Sequence, residues 1–281
     1  MKQKEVYQMS DSKVYREGDK LVKVYLSDPY AYVEQAYQRQ KFVYDAGLPI
    51  PAVLGIKKIS DKETALEMEY LEGKPLVEMY EGKGEEAELE AMRVMVKLQC
   101  QMNVIDASDL PNLTDLYVHE ITISRYLTDE IKNTLLALIK SLDQGKANLC
   151  HGDIHPYNIM YHDDRYWIID WEDAGGGDPA ADACMQLFYS MRWEAKKVVD
   201  QNGDYNLQTY CESGGDYLQR FCEGGERYLQ LFCMESGISR AEVLAWLPII
   251  AGVQVDIDDD VDRAYITKFI DEWYAQAKQF E

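Results

Sequence analysis

The sequence predicts an α+β chain of two lobes, a small β-rich one over residues 1–72 and a larger, mostly helical one over residues 73–281. Three observations carry this reading. KVYRE (13–17) and KLVKVYL (20–26) alternate in polarity on either side of Gly18-Asp19, the mark of a β-hairpin. LPIPAVLGI (48–56) and TALEMEYLEG (64–73) read as an extended linker and further strands. Beyond Gly73 the apolar residues fall at helical spacing, first Leu89, Met92, Val96 and 98–102, then Ile131, Leu135, Leu138, Ile139 and Leu142. A chain of 281 residues is long enough to bury a sizeable core.

The elements follow in order. In the strand 20–26, Val22, Val24 and Leu26 share one face and Leu21, Lys23 and Tyr25 the other. Judged by the strand alone, Lys23 reads as an edge-strand lysine that discourages aggregation. Residues 28–46 form a helix, with Asp28 as N-cap, Pro29 in the first turn and Gly47 beyond the end. Helices then follow at 85–103 and 129–142, and dominate from 183 to the end. Within the last stretch an aromatic-Cys pair recurs at Tyr210-Cys211, Phe221-Cys222 and Phe232-Cys233. Eleven residues are close to three helical turns, so the repeat stays on one face. At about 16 Å per repeat the sulfurs are too far apart to share a metal, and a packing stripe is the better account. The glycine pairs at 214–215 and 224–225 are candidate helix breaks.

Composition removes several classes of function. A net charge of −21 repels nucleic acid and anionic membranes, and favours a cationic ligand if anything. No run of about 18 apolar residues is present, so no membrane span is expected. MKQKEVYQMS lacks the apolar segment of a signal peptide, and the six cysteines lack CxxC spacing. Reduced thiols in a cytoplasmic protein are the expectation.

The densest polar motif is HGDIHPYNIM, residues 151–160. Zinc ligation by His151, Asp153 and His155 lacks a further ligand at a matching spacing, since the other histidines are His119 and His162. A plain turn accounts for Gly152 and Pro156 but not for the ordered acid, amide and second acid. Phosphoryl transfer accounts for all three. Its catalytic loops place a base Asp five residues before an Asn that holds Mg²⁺, as Asp153 and Asn158 stand here. A short hairpin, IMY-HDDR-YWIID, then delivers Asp170, a second hard oxygen ligand. Lys23, in the third strand of the small lobe, suits the α- and β-phosphates.

HGDIHPYNIM followed by IIDWEDAGGGDPAADAC resembles the aminoglycoside phosphotransferase/choline kinase-like family, whose motifs are HGDxHxxN and then IDW/F…GDPxxDxA. KLVKVYL, AGLPIPAVLG and MEYLEGKPL resemble its lysine strand, helix-to-strand linker and interlobe hinge, and weaker similarity runs through SRAEVLAWLPII. The resemblance covers most of residues 10–250. It implies a two-lobed, protein-kinase-like fold and a kinase that moves the γ-phosphate of ATP or GTP, with Mg²⁺, to a hydroxyl of a small acceptor. Aminoglycosides, choline and other amino alcohols, and sugars are the acceptor classes implied. Asp153 would be the catalytic base, Asn158 and Asp170 the metal ligands, and Lys23 a phosphate contact. Met68, Glu69, Tyr70 and Leu71 would meet the adenine through backbone groups. His151 and His155 would be framework residues, Asp182 a buried acid bracing the catalytic loop, and Asp178 a cap for the turn or helix that follows.

Two departures stand out. The family's helix usually offers the lysine a Glu, and that position here is Ala36, with Glu34 about 200° around the helix. No Gly-rich loop precedes KVYRE, where Ser10-Asp11-Ser12 lies instead. The first departure favours a nucleotide-binding pseudoenzyme as the alternative. A protein kinase is disfavoured by the missing glycines and the lack of an APE motif. DIDDDVDR (256–263), with Glu172 and Asp173, offers acids for a cationic acceptor, against a plainly solvated acidic face. It is no EF-hand, because Val261 and Thr267 stand where Gly and Glu are required.

Overall fold

The structure, a computed structural model, describes residues 4–8, 12–26, 30–80, 82–202 and 223–278. It comprises two compact units interleaved along the chain, residues 1–95 with 151–175 and residues 96–150 with 176–281. The lobe boundary expected after residue 72 falls inside the first unit.

The first unit is built on a five-stranded antiparallel sheet. Its strands are β1 (Lys4–Gln8), β2 (Ser12–Glu17), β3 (Lys20–Tyr25), β4 (Val53–Lys58) and β5 (Thr64–Glu69), in the order β1-β2-β3-β5-β4. Gly18, at φ +67°, allows the tight β2–β3 turn. β3 is the central strand, bonded to β2 and β5, so the edge-strand reading of Lys23 is overturned. β1 has no signal of its own, because KEVYQ carries too little alternation to mark a strand by itself.

The period of two decides what lies on each face. Val22 and Val24 pack with Ala65 on one side. Tyr25 packs on the other with Leu66 and with Val33 of α1 (Tyr30–Asp45), so Lys23 points to the helix side. Val33, Ala36, Arg39, Gln40 and Val43 form the buried face of α1, and Gly47, at φ +82°, ends it. The expected caps Asp28 and Pro29 lie outside the described residues.

Further on, β6 (Lys74–Pro75) pairs with β8 (Ile159–His162), which pairs in turn with β9 (Arg165–Ile168). Asp163 and Asp164 both sit at positive φ, 48° and 57°, the backbone a two-residue hairpin turn demands. α2 (Leu76–Tyr80) follows β6. α3 (Glu85–Met102) begins in the first unit and ends in the second.

The second unit is mostly helical. It holds α4 (Leu113–Ile123), α5 (Asp129–Leu142), α6 (Pro179–Asn202), α7 (Glu223–Ser236), α8 (Arg240–Ala245), α9 (Leu247–Gln254) and α10 (Asp260–Ala277). A short strand, β7 (Asn148–Cys150), pairs with β10 (Gly175–Gly177). α9 is apolar nearly all round, as a central helix must be, and Leu247–Gly252 are all buried. Leu135 of α5 packs so closely on Gly252 that an added Cβ would lie 2.6 Å from its Cδ1.

Of the aromatic-Cys stripe, Tyr228, Leu229 and Phe232 are buried along α7, with the two rings stacked. Tyr210-Cys211, Phe221-Cys222 and the 214–215 glycines lie outside the described residues. Gly224 and Gly225 sit in the first turn of α7 and do not break it.

The acids of 256–263 are engaged locally. Asp259 caps α10 through the Val261 and Asp262 amides (2.9 and 3.0 Å), and Asp262 holds Arg192 at 2.5 Å. Asp260 pairs with Arg263 at 2.5 Å, and Asp256 accepts from the Arg125 amide at 3.3 Å. These bonds fix the start of α10. Among the described residues no helix is long and apolar enough to cross a membrane.

Candidate active site

The loop 151–158 is held by its own polar groups. His151 is fully buried, its ring 4.6 Å from that of Trp171. The Asp153 amide points at His151 Nδ1 (3.3 Å), which must therefore accept. Nε2 then carries the proton and donates to the Ile169 carbonyl at 3.0 Å. Both ring nitrogens are spent on the frame, which rules His151 out as a zinc ligand. His155 lies with Nε2 3.5 Å from Asp153 Oδ2.

Gly152 sits at φ +79°, and a Cβ there would come 2.5 Å from the Asp173 carbonyl oxygen. Gly152→Ala is therefore expected to lower stability by at least about 1–2 kcal/mol from the left-handed backbone alone. It should also misplace Asp153. Thermal melts alongside turnover check this.

Asn158 closes the 3-10 turn Pro156–Asn158. Its Nδ2 donates to the Asp153 carbonyl (2.9 Å) and to Asp153 Oδ2 (3.2 Å), which leaves Oδ1 as the acceptor on offer. The Ile169 amide donates to the Asn158 carbonyl at 2.9 Å, so Asp170 is the next residue along from Asn158's partner. Asp170 occupies φ +64°, a conformation that costs a non-glycine residue about 1–3 kcal/mol and collects at functional sites.

Lys23 reaches this corner from β3. Its Nζ lies 2.5 Å from Glu172 Oε1 and 3.4 Å from Asp170 Oδ1. The Tyr25 hydroxyl donates to the same Glu172 oxygen, and Arg39 Nη1 donates to the Glu172 carbonyl at 2.6 Å. Burial works against the charge on Lys23, but Asp170 and Glu172 outweigh it and the ammonium is held above its ordinary pKa. Burial pushes the Glu172 carboxyl up, and Asp170 adds to this, while Lys23 and Tyr25 oppose it. Asp173 adds a fourth acid to Asp153, Asp170 and Glu172 in this corner. Ala36 is buried on α1, and the carboxylate that meets Lys23 comes instead from Glu172.

The expected hinge begins at the end of β5. The Glu69 amide is bonded to the Ala52 carbonyl (2.8 Å) and the Tyr70 amide to the Asp19 carbonyl (3.0 Å); the Leu71 amide is engaged in neither. The Arg16 guanidinium lies 4.0 Å over the Tyr70 ring.

Asp178 and Asp182 belong to the second unit. Asp178 accepts from the Ala180 amide at 2.9 Å, capping α6, and pairs with Lys146 through both oxygens at 3.1 Å. Asp182 is buried and accepts from Gln99 Nε2 at 2.9 Å, while the Tyr228 hydroxyl donates to Gln99 Oε1 at 2.6 Å. This network ties α3, α6 and α7 together. Gln99→Leu strips one partner from each of two buried polar groups, and a loss of about 2–4 kcal/mol in denaturant unfolding is expected.

Sequence reasoning assigned no role to Tyr25 or Arg39, and gave Glu172 only a place among acids for a cationic acceptor. Arg39 was legible in principle, since it lies three residues beyond Ala36 on the same helical face. Glu172 stood in the motif but pointed to no partner until the fold placed it.

Asn158 Oδ1 and the Asp170 carboxylate are the hard oxygen donors that suit Mg²⁺. Among the described residues no group of three His, Cys, Asp or Glu side chains forms a metal cage. Mg²⁺ held by one or two protein oxygens together with substrate phosphates and water does not require one.

The chain is similar to proteins of known family and fold. The family model described as "Phosphotransferase enzyme family" (APH) matches residues 7–218. Protein LicA of Haemophilus influenzae is 34% identical over 68 residues, a stretch covering 24% of this chain and 23% of that protein. The chain thus matches about a quarter of that curated relative's length. Among solved structures, aminoglycoside-3'-phosphotransferase of type VIII superposes with a TM-score of 0.58 at 17% identity, covering 89% of this chain and 93% of that one. A thermostable mutant of aminoglycoside phosphotransferase APH(4)-Ia, in ternary complex with ADP and hygromycin B, gives 0.62 at 16% identity over 96% and 92%. APH(3'')-Id from Streptomyces rimosus, in complex with ADP and streptomycin, gives 0.53 at 17% identity over 86% and 90%. At these identities the structures speak for the kinase-like fold. With three quarters of its length matched by the family model, the chain belongs to the APH phosphotransferase enzyme family.

Proposed function

We propose that the protein transfers the γ-phosphoryl group of ATP or GTP to a hydroxyl of a small molecule, an amino alcohol, aminoglycoside or sugar. The observation that carries this is one corner of the first unit. There the Asp153–Asn158 pair, the strained Asp170 and the charged Lys23 come together on the loop, the hairpin end and the central strand. In this reading Asp153 orients the acceptor hydroxyl and takes its proton. Its carboxylate is fixed by Asn158 Nδ2, and its backbone by His151. Lys23 contacts the phosphates and offsets the charge that develops on them. Asn158 and Asp170 would hold Mg²⁺, which would supply positive charge to offset that of the phosphates. The adenine would be read by the Glu69 carbonyl and the Leu71 amide, since the amides of Glu69 and Tyr70 already have partners.

The case for a pseudoenzyme rested on Ala36. It weakens because Lys23 has its carboxylate partner in Glu172. Four acids in this corner and a net charge of −21 favour a cationic acceptor. The test is ADP release from Mg·ATP, with Mg·GTP in parallel, over aminoglycosides, choline, ethanolamine, homoserine and simple sugars. Acceptor-dependent release that is absent in Asp153→Ala is expected. Release that continues in that variant contradicts the proposal.

A further inference from the structure

We infer that Glu172 is a positioning residue that sets Lys23 for the nucleotide phosphates, standing in for a carboxylate that α1 does not supply. The inference rests on the kinase reading above and adds a residue to it. Three observations converge. The buried face of α1 carries Ala36 and Arg39 and no acid. Lys23 Nζ is closer to Glu172 than to Asp170, at 2.5 against 3.4 Å. Glu172 is itself braced at two points, its carboxylate by the Tyr25 hydroxyl and its carbonyl by the Arg39 guanidinium.

The polarity of the brace is thus inverted. α1 contributes a cation that grips the main chain of the segment after Asp170, and that segment returns an anion to the strand lysine. Because the Lys23 side chain is 12% exposed and that of Glu172 17%, little water competes for either charge. An ammonium held this way keeps one orientation while Asp170, its longer-range partner, has a carboxylate to give to a metal. A lysine on a flexible four-carbon stem would otherwise lose that order.

A double-mutant cycle on nucleotide binding separates this role from others. Calorimetry would give the affinity of wild type, Glu172→Gln, Lys23→Met and the double variant for Mg·ATP, each at several Mg²⁺ concentrations, with thermal melts to confirm folding. Glu172→Gln is nearly isosteric and keeps the Arg39 contact, which is to the backbone. About tenfold weaker binding is expected in each single variant, with no further loss in the double variant and an unchanged Mg²⁺ requirement. Additive losses, or a raised Mg²⁺ requirement in Glu172→Gln, would show Glu172 acting on the metal and overturn the inference. So would unchanged affinity in a folded Glu172→Gln. If wild type itself does not bind Mg·ATP, it is the kinase reading that fails.

Discussion

Asp153→Ala is expected to cut turnover by about 10²–10⁴-fold, the usual loss when a positioned general base is removed. The fold should survive it. Asn158 Nδ2 keeps its bond to the Asp153 carbonyl, and the His151 contact is made by the Asp153 amide, both of which remain in alanine. The melting temperature is therefore expected to stay within about 2 °C of wild type. Nucleotide affinity should also hold, since Lys23, Asp170 and the hinge are untouched. A variant that loses turnover and unfolds together would show that Asp153 is structural.

Asp170 should behave in the opposite way with respect to stability. Removing its carboxylate is expected to abolish turnover, and the choice of replacement decides what happens to the fold. At φ +64° alanine carries the left-handed penalty and glycine does not. Asp170→Gly should then be more stable than Asp170→Ala by about 1–2 kcal/mol, a reversal of the usual order. Both should be inactive. Denaturant unfolding of the pair tests this, and a less stable glycine variant would mean that the strain is not there.

Much of this was legible in the sequence because the relevant signals are local. The 13–26 hairpin, α1 and the 159–168 hairpin follow from alternation, helical period and turn residues in a few consecutive positions. The loop from His151 to Asn158 follows from residue order. Its internal bonding was not legible, since only the fold brings Ile169 and Trp171 to the His151 ring. What depends on sheet order was also hidden. Lys23 looks the same on an edge strand as on a central one, and the pairing of β3 with β5 across the intervening α1 decides between them. The position expected to carry the helix acid is Ala36, while the carboxylate that meets Lys23 lies 136 positions further on, at Glu172, and no spacing rule connects the two. The partners of the acids at 256–263 were hidden for a related reason: only the fold brings Asp262 to Arg192.

The central claim is that this corner moves a phosphoryl group to a small hydroxyl. Phosphorus NMR on the protein with Mg·ATP and the acceptor that scores in the ADP-release panel tests it most directly. The account predicts a new phosphomonoester resonance growing in step with ADP, absent when Asp153 is alanine. ADP accompanied by inorganic phosphate alone, or ester formed at the wild-type rate by the Asp153→Ala variant, would contradict it.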